Sequence, residues 1–458
     1  MRYFHKNTDP QYAQCLSSVP KEDYNKTIQH KDNEMPHMSP IHRQAARVLT
    51  LAAFTIVSNT IGLSSTSDAP QLKKTALPLS IDIVWQDDRP FIADAEGVLH
   101  RSTIDPELQL KLQAFIAERG LPISAVVVSD INSGKILAIA QGRAPQAWQA
   151  STHTALHNRF PAASLFKTVV TAAAMEMTST TSDQNFGLPG GCGGQDILPK
   201  GDWINDGHGQ RMNLRRAYGH SCNSFFAKLA INQLGLGTIM RYAHLFGWDQ
   251  ELPTDFSVES SRMLPPGVAN SGTHTVGRFA AGFGHVGISP IHANWIVTML
   301  ANKGVSKPLF IFSDTNLDAL TASVPAEPIM SADTASRLID VMKETVEDGT
   351  ASTTFGRGRY RSIARETGGK TGTLRGRTPE GLTTLFFGVY PLSKPQIAVS
   401  SVVVLEDHYH FKASQLAAEA ILQWRDLSDA KQGIIRSASA SERKVYSRSR
   451  KKPRQARR

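Results

Sequence analysis

The stretch Phe160-Pro161-Ala162-Ala163-Ser164-Leu165-Phe166-Lys167 decides how this chain is read. It sets a hydroxyl and an amine three residues apart at the head of an apolar run. Val169, Val170, Ala172, Ala173 and Met175 carry that run on with helical recurrence. Four other Ser-x-x-Lys matches, starting at Ser18, Ser428, Ser441 and Ser449, have no such setting. Residues i and i+3 of a helix are neighbours on one face, so Lys167 can lie beside Ser164. A serine is a poor nucleophile at its free pKa. A neutral amine beside it can take its proton once burial and neighbouring positive charge depress the lysine. The plain alternative is an exposed serine and a solvated lysine on an ordinary helix.

Two further elements follow in order. Ser221-Cys222-Asn223 precedes Phe225, Phe226, Leu229, Ala230 and Leu234, and the run ends at Gly235, the pattern of a helix with a glycine stop. In isolation this element reads as a helix cap. Lys370-Thr371-Gly372-Thr373 precedes two β-rich runs, Leu385 to Tyr390 and Ile397 to Leu405, split by a proline-bounded turn. On a strand Thr371 and Thr373 point the same way, and Gly372 lets a ligand approach the backbone. Alone it reads as a glycine-weakened edge strand. Serine with lysine, a second serine with asparagine, and a second lysine together describe an acyl-transfer site that needs no histidine.

Through these three elements the chain resembles the penicillin-binding protein transpeptidase domain, a member of the penicillin-recognising superfamily of serine acyltransferases. The likeness extends to Ile104-Asp105-Pro106 ahead of a first helix and to a hairpin over Ala125 to Ala138. It also takes in Gly282-Phe283-Gly284, Ser289-Pro290 opening a helix that stops at Asn302-Lys303-Gly304, and Asp348-Gly349-Thr350-Ala351. It covers about residues 80 to 427. The family's polar residue between the paired glycines is here Phe283, which bears on the wall of the cleft.

The resemblance implies an α+β fold of the β-lactamase/transpeptidase type: a five-stranded antiparallel sheet flanked by helices, with a mostly helical subdomain inserted. It implies Ser164 as nucleophile toward a D-alanyl-D-alanine stem peptide or a β-lactam, and Lys167 as its base. Ser221 would pass a proton to the leaving amine, and Asn223 would hold the donor amide. Lys370 would supply a positive field. Thr371 and Thr373, flanking Gly372, would bind the substrate carboxylate. The backbone N–H groups of Ser164 and Thr373 would form the oxyanion hole. The activity implied is D,D-transpeptidation in peptidoglycan cross-linking, with no metal and no cofactor. Carboxypeptidase or class D-like β-lactamase activity is the alternative on the same fold. No Glu-x-x-Asn element of the class A β-lactamase kind stands between Ser221 and Lys370. A β-lactam sensor or wall-assembly adaptor is the non-enzymatic alternative.

The 458 residues carry a net charge of +10. Residues 436–458 hold ten Lys or Arg and one Glu, so +9 of the +10 sits there and the body is nearly neutral. Such a tail, taken as 428–458, reads as a solvated disordered arm or as an adhesive for anionic lipid or wall polymer. Nucleic acid is disfavoured as a partner, because a wall enzyme works outside the cytoplasm. Val48 to Leu63, 16 residues preceded by Arg43 and Arg47, reads as a single membrane anchor or a signal h-region. This places the catalytic domain, residues 105–427, outside the inner membrane or free in the periplasm, after a polar segment (1–47) and a linker with a lead-in strand (64–104). Too few residues precede Asp105 for a glycan-polymerising domain, so a separate polymerase is expected. Of the three cysteines, Cys192 could pair with Cys222, but free thiols are the favoured expectation.

Overall fold

The hairpin expected near residue 130 and the two β-rich runs near residue 400 meet in one sheet. The computed structural model describes residues 83–434, apart from 95–96, 143–152, 179, 194–208, 268–271, 323, 325–326, 378 and 407–409. The expected anchor at 48–63 and the basic segment at 436–458 lie outside the described residues. Among the described residues no helix is long and apolar enough to cross a membrane.

Strands β1 (Ile123–Asp130) and β2 (Ile136–Gln141) form the hairpin, and β3 (Gly368–Arg377), β4 (Glu380–Tyr390) and β5 (Ile397–Leu405) the later meander. All pair antiparallel in the order β3-β4-β5-β1-β2, so the sheet is five-stranded as expected. The seam is β5 against β1, with Val399 opposite Val128, and it closes a loop of more than 200 residues. Gly134 makes the hairpin turn at φ +84°; a Cβ there would sit 2.1 Å from the carbonyl oxygen of Pro308.

Every residue of β5 is buried, because helices cover both faces of the sheet. Val126, Val128, Val399 and Val403 pack on one side against α1 (Pro106–Glu118) and a long C-terminal helix, Ala413–Lys431. Ala125, Val127, Ala398 and Val402 face the other side and the inserted helices. Asp105 caps α1, its Oδ1 accepting from the Leu108 N–H at 3.1 Å, with Pro106 in the first turn as expected. The C-terminal helix runs past the boundary expected at 427. Leu427 is still buried, and Lys431 Nζ donates to Asp105 Oδ2 at 2.5 Å.

The inserted lobe is built on α2 (Lys167–Met177), which is buried on every side from Lys167 to Met175. Around it stand α3 (Asn223–Leu229), α4 (Thr273–Ala280), α5 (Pro290–Ala301) and α6 (Ala332–Glu347); the C-terminal helix Ala413–Lys431 is α7. Gly235 breaks the run after α3 at φ +72°, but the chain turns straight into a further helix, Gly235–Leu245. Ser289 caps α5 through the His292 N–H, as its sequence indicates.

Asn294 of α5 fastens the lobe to the sheet at the seam. Its Nδ2 donates to the carbonyls of Val127 (3.2 Å) and Ala398 (3.0 Å), and its Oδ1 accepts from Ser129 Oγ at 2.5 Å. All of these groups are buried. Asn294→Ala leaves them without partners and is expected to cost about 3 kcal/mol of stability. A denaturant titration should show a lower midpoint with an unchanged slope.

Candidate active site

Ser164 does not sit in an α-helix. It lies in a 3-10 turn, Ala163–Phe166, that leads directly into α2. In a 3-10 turn the side chains of i and i+3 eclipse, which brings Ser164 and Lys167 closer than α-helical geometry would. Ala163, at φ +47°, starts this turn in the left-handed region. Its carbonyl is packed so tightly on Gly282 that a Cβ there would lie 1.9 Å from the oxygen. The glycine before Phe283 is therefore a steric requirement for the position of Ser164.

Lys167 is fully buried, and its Nζ has three neighbours: Ser164 Oγ at 2.7 Å, Asn223 Oδ1 at 2.8 Å and the Ala281 carbonyl at 2.8 Å. Two of these can only accept. In its neutral form the amine would give its two hydrogens to the carbonyls of Asn223 and Ala281 and keep its lone pair for the Ser164 O–H; in its charged form it donates to all three. Burial, and then the nearby Lys370 charge, hold this amine well below the ordinary lysine range.

Lys370, on edge strand β3, is also fully buried. Its Nζ donates to the Thr371 carbonyl at 3.1 Å and stands 5.4 Å over the ring of Tyr218. Burial lowers its pKa to about 7. The Thr371 and Thr350 hydroxyl oxygens are 2.5 Å apart. Thr350 is placed by the turn after α6, where its N–H donates to the Gly219 carbonyl at 3.0 Å. Ser221, two residues further on, adopts φ +59°, a conformation that costs a non-glycine residue about 1–2 kcal/mol.

A cleft of about 430 Å³ gathers these groups. Ser164, Ser221, Asn223, Thr371, Gly372 and Thr373 all line it, and the two lysines lie buried beneath. All eight residues singled out from the sequence thus come to one place. Phe283 also lines the cleft, under the Arg278 guanidinium at 5.0 Å. Sequence reasoning gave no role to Thr350, Lys412 or Ser414, which line it too. Thr350 had a signal in its Asp-Gly-Thr-Ala segment. Lys412 and Ser414 had none, because only the docking of α7 brings them there.

One expectation is overturned. Cys192 and Cys222 form a disulfide, with Cα atoms 4.7 Å apart, where free thiols were favoured. Gly190, Gly191 and Gly193, all at positive φ, turn the loop back so that the Cys192 carbonyl accepts from the Ser224 N–H. The bond ties that loop to the residue between Ser221 and Asn223. Just behind Ser221, His220, Glu344 and Asp348 bring ligand-type atoms within 4.8 Å of one another. The Arg216 guanidinium is 3.8 Å from Asp348 and His220 Nε2 is 3.3 Å from it, so the cluster reads as ion pairing.

The family model for the penicillin binding protein transpeptidase domain matches residues 124–423. The chain belongs to that family. Peptidoglycan D,D-transpeptidase PbpA of Mycobacterium tuberculosis is 27% identical over 255 residues, 48% of this chain and 50% of the relative. The chain therefore spans about half the length of the curated relatives it matches. The D,D-transpeptidase domain of a peptidoglycan glycosyltransferase from Eggerthella lenta superposes with a TM-score of 0.56 at 23% identity, over 73% of this chain and 84% of that one. Penicillin-binding protein A from M. tuberculosis, in its ceftriaxone acyl-enzyme complex, gives 0.57 at 22% identity over 72% and 80%. The penicillin-binding protein fold expected from the motifs is the fold observed.

A buried lysine that titrates low makes stability depend on pH. Lys370 ionises at about 7 in the fold against an ordinary 10.5, so between these values the unfolded chain binds more protons. Stability must then rise with pH across that window. Below it the penalty is of order 5 kcal/mol. Lys370→Met should be more stable than the wild type at pH 7 and show a shallower rise, the remainder coming from Lys167, as read by chemical denaturation from pH 6 to 10.

Proposed function

We propose that the protein is a serine D,D-transpeptidase acting on D-alanyl-D-alanine stem peptides, and that β-lactams acylate the same serine. The observation that carries this reading is the buried Lys167 amine, 2.7 Å from Ser164 Oγ and 2.8 Å from each of two carbonyl oxygens, of Asn223 and Ala281. The family membership and the acyl-enzyme formed by the M. tuberculosis neighbour support it.

In this reading Ser164 gives its proton to Lys167 as Oγ bonds to the carbonyl carbon of the penultimate D-alanine. The negative charge that develops on oxygen is met by the Ser164 and Thr373 N–H groups; β3 is an edge strand, so alternate N–H groups face outward. The C–N bond then breaks, with Ser221 relaying the proton to the departing amine. Thr371 and Thr373 hold the carboxylate of the leaving residue, in the field of Lys370. An incoming amine reverses these steps and forms the cross-link. Work on stem peptides places the protein in the cell envelope, with its catalytic part outside the cytoplasm.

Two lysines in opposite protonation states predict a two-sided pH profile. Lys167 must be neutral, so acylation falls as pH drops through its lowered pKa. Lys370 must be charged, so acylation also falls as pH rises beyond about 7. Stopped labelling with fluorescent penicillin measures both limbs, and Lys370→Arg, charged throughout, should remove the alkaline one. Ser164→Ala should take up no label. Equal label on wild type and Ser164→Ala would reject the acyl-enzyme, while rapid loss of label from the wild type would identify a β-lactamase.

A further inference from the structure

A second concavity of about 460 Å³ adjoins the active cleft and shares Lys412 with it. Only a thin wall separates the two. The Thr354 hydroxyl, on the second side, lies 2.9 Å from Ser414 Oγ, on the first. Three arginines, Arg119, Arg357 and Arg359, join Lys412 around it, and none of its described lining residues is acidic.

This basic wall is built. Glu419, 1% exposed, lies behind it, paired with Arg359 and accepting from Tyr360 Oη at 2.9 Å and Gln423 Nε2 at 2.7 Å. Its one negative charge is therefore committed to Arg359. The Arg119 guanidinium rests on the Phe115 ring, 5.0 Å from its centroid, which holds it at the rim. Gly358, at φ +54°, turns the backbone between Arg357 and Arg359 so that both reach one hollow. Beside the committed Arg359, Arg119 and Arg357 bring to this hollow the forked donors that suit carboxylate.

We propose that this pocket holds a carboxylate of the amine acceptor that consumes the acyl-enzyme. The inference rests on the transpeptidase reading above and names the class of acceptor for it. The leaving amine carries its carboxylate at Thr371 and Thr373, so the incoming amine enters by that end of the cleft. The lining there continues through Thr384 and Ser414 to Lys412, and past Lys412 lies the pocket. An acceptor whose nitrogen reaches the acyl carbon thus has the rest of its chain directed at the arginines. Its nitrogen bonds to the acyl carbon, the bond to Ser164 Oγ breaks, and the amine's proton returns to Oγ by way of Lys167. Because the pocket opens beside the acceptor path, a group attached to the acceptor fits it better than a polymer or lipid held on the outer surface.

The full-length protein, supplied with an acetylated D-alanyl-D-alanine donor, is offered triglycine or triglycinamide, which differ only in the carboxylate. Mass spectrometry reads the ratio of transfer to hydrolysis. The wild type should favour triglycine by about tenfold. The double variant Arg119→Gln, Arg357→Gln should reduce that preference to about twofold or less, with fluorescent penicillin labelling of Ser164 unchanged. Equal transfer to the two amines by the wild type, or a preference that survives in the variant, overturns the proposal. So does a variant that loses only its retention on phosphatidylglycerol vesicles, since the pocket would then serve lipid phosphate. Labelling with transfer to neither amine would instead bring down the transpeptidase reading itself.

Discussion

A lysine amine taken wholly out of water is the constraint around which this molecule is arranged, and burial disfavours its charge. In water Lys167 would be protonated and useless to Ser164. Its pKa falls because α2, which it begins, has no solvent-facing side over the stretch that follows it. A helix buried all round is uncommon in a surface-rich domain; here apolar residues fill most positions of α2, and the buried Thr168 and Thr171 hydroxyls pair with Tyr218 Oη and the Lys167 carbonyl. The cost of burying an amine is limited by the acceptors provided by Asn223 and Ala281, which come from two other segments. Base strength and lobe packing are therefore linked, since the burial that lowers the amine's pKa is the packing of the lobe.

The second lysine sharpens the first. Lys370 lies buried in the strand next to the turn that carries Ser164, and its charge disfavours a second ammonium at Lys167. No described residue that lines the cleft is acidic, so neither lysine is quenched by a carboxylate there. Strain is concentrated at the same place. Ala163 and Ser221 both hold left-handed backbone, and each is clamped by a contact that admits no Cβ, Gly282 on Ala163 and Gly349 on the Gly219 carbonyl before Ser221. Such conformations persist only where the surroundings over-determine them.

Most of this could be read from the sequence, since the reading needed only order and local pattern. Serine three residues before lysine, ahead of an apolar run with helical recurrence, encodes both the pairing and its burial. The caps at Asp105 and Ser289 are equally local, each a side chain acting on an N–H three residues ahead. What could not be read depends on docking between distant segments. Lys412 and Ser414 reach the cleft through the packing of α7 on the sheet, and nothing near them in sequence says so. The disulfide was misjudged for a related reason. Spacing cannot show that three glycines at positive φ return Cys192 to the start of α3.

The lining chemistry also bears on how long an acyl-enzyme lasts. Hydrolysis needs a water with a base beside it, and the described cleft offers hydroxyls, an amide and cations but no carboxylate. Among the described residues Lys167 stands beside Ser164, its Nζ 2.7 Å from Oγ and held on its other sides by the Asn223 and Ala281 carbonyls. An amine acceptor escapes this limit. It is a stronger nucleophile than water, and in the proposed reaction it arrives where the leaving amine departed. In the proposed reaction the described lining therefore gives an attacking amine hydroxyls and cations to meet its carboxylate-bearing end, and gives water no described carboxylate as a base.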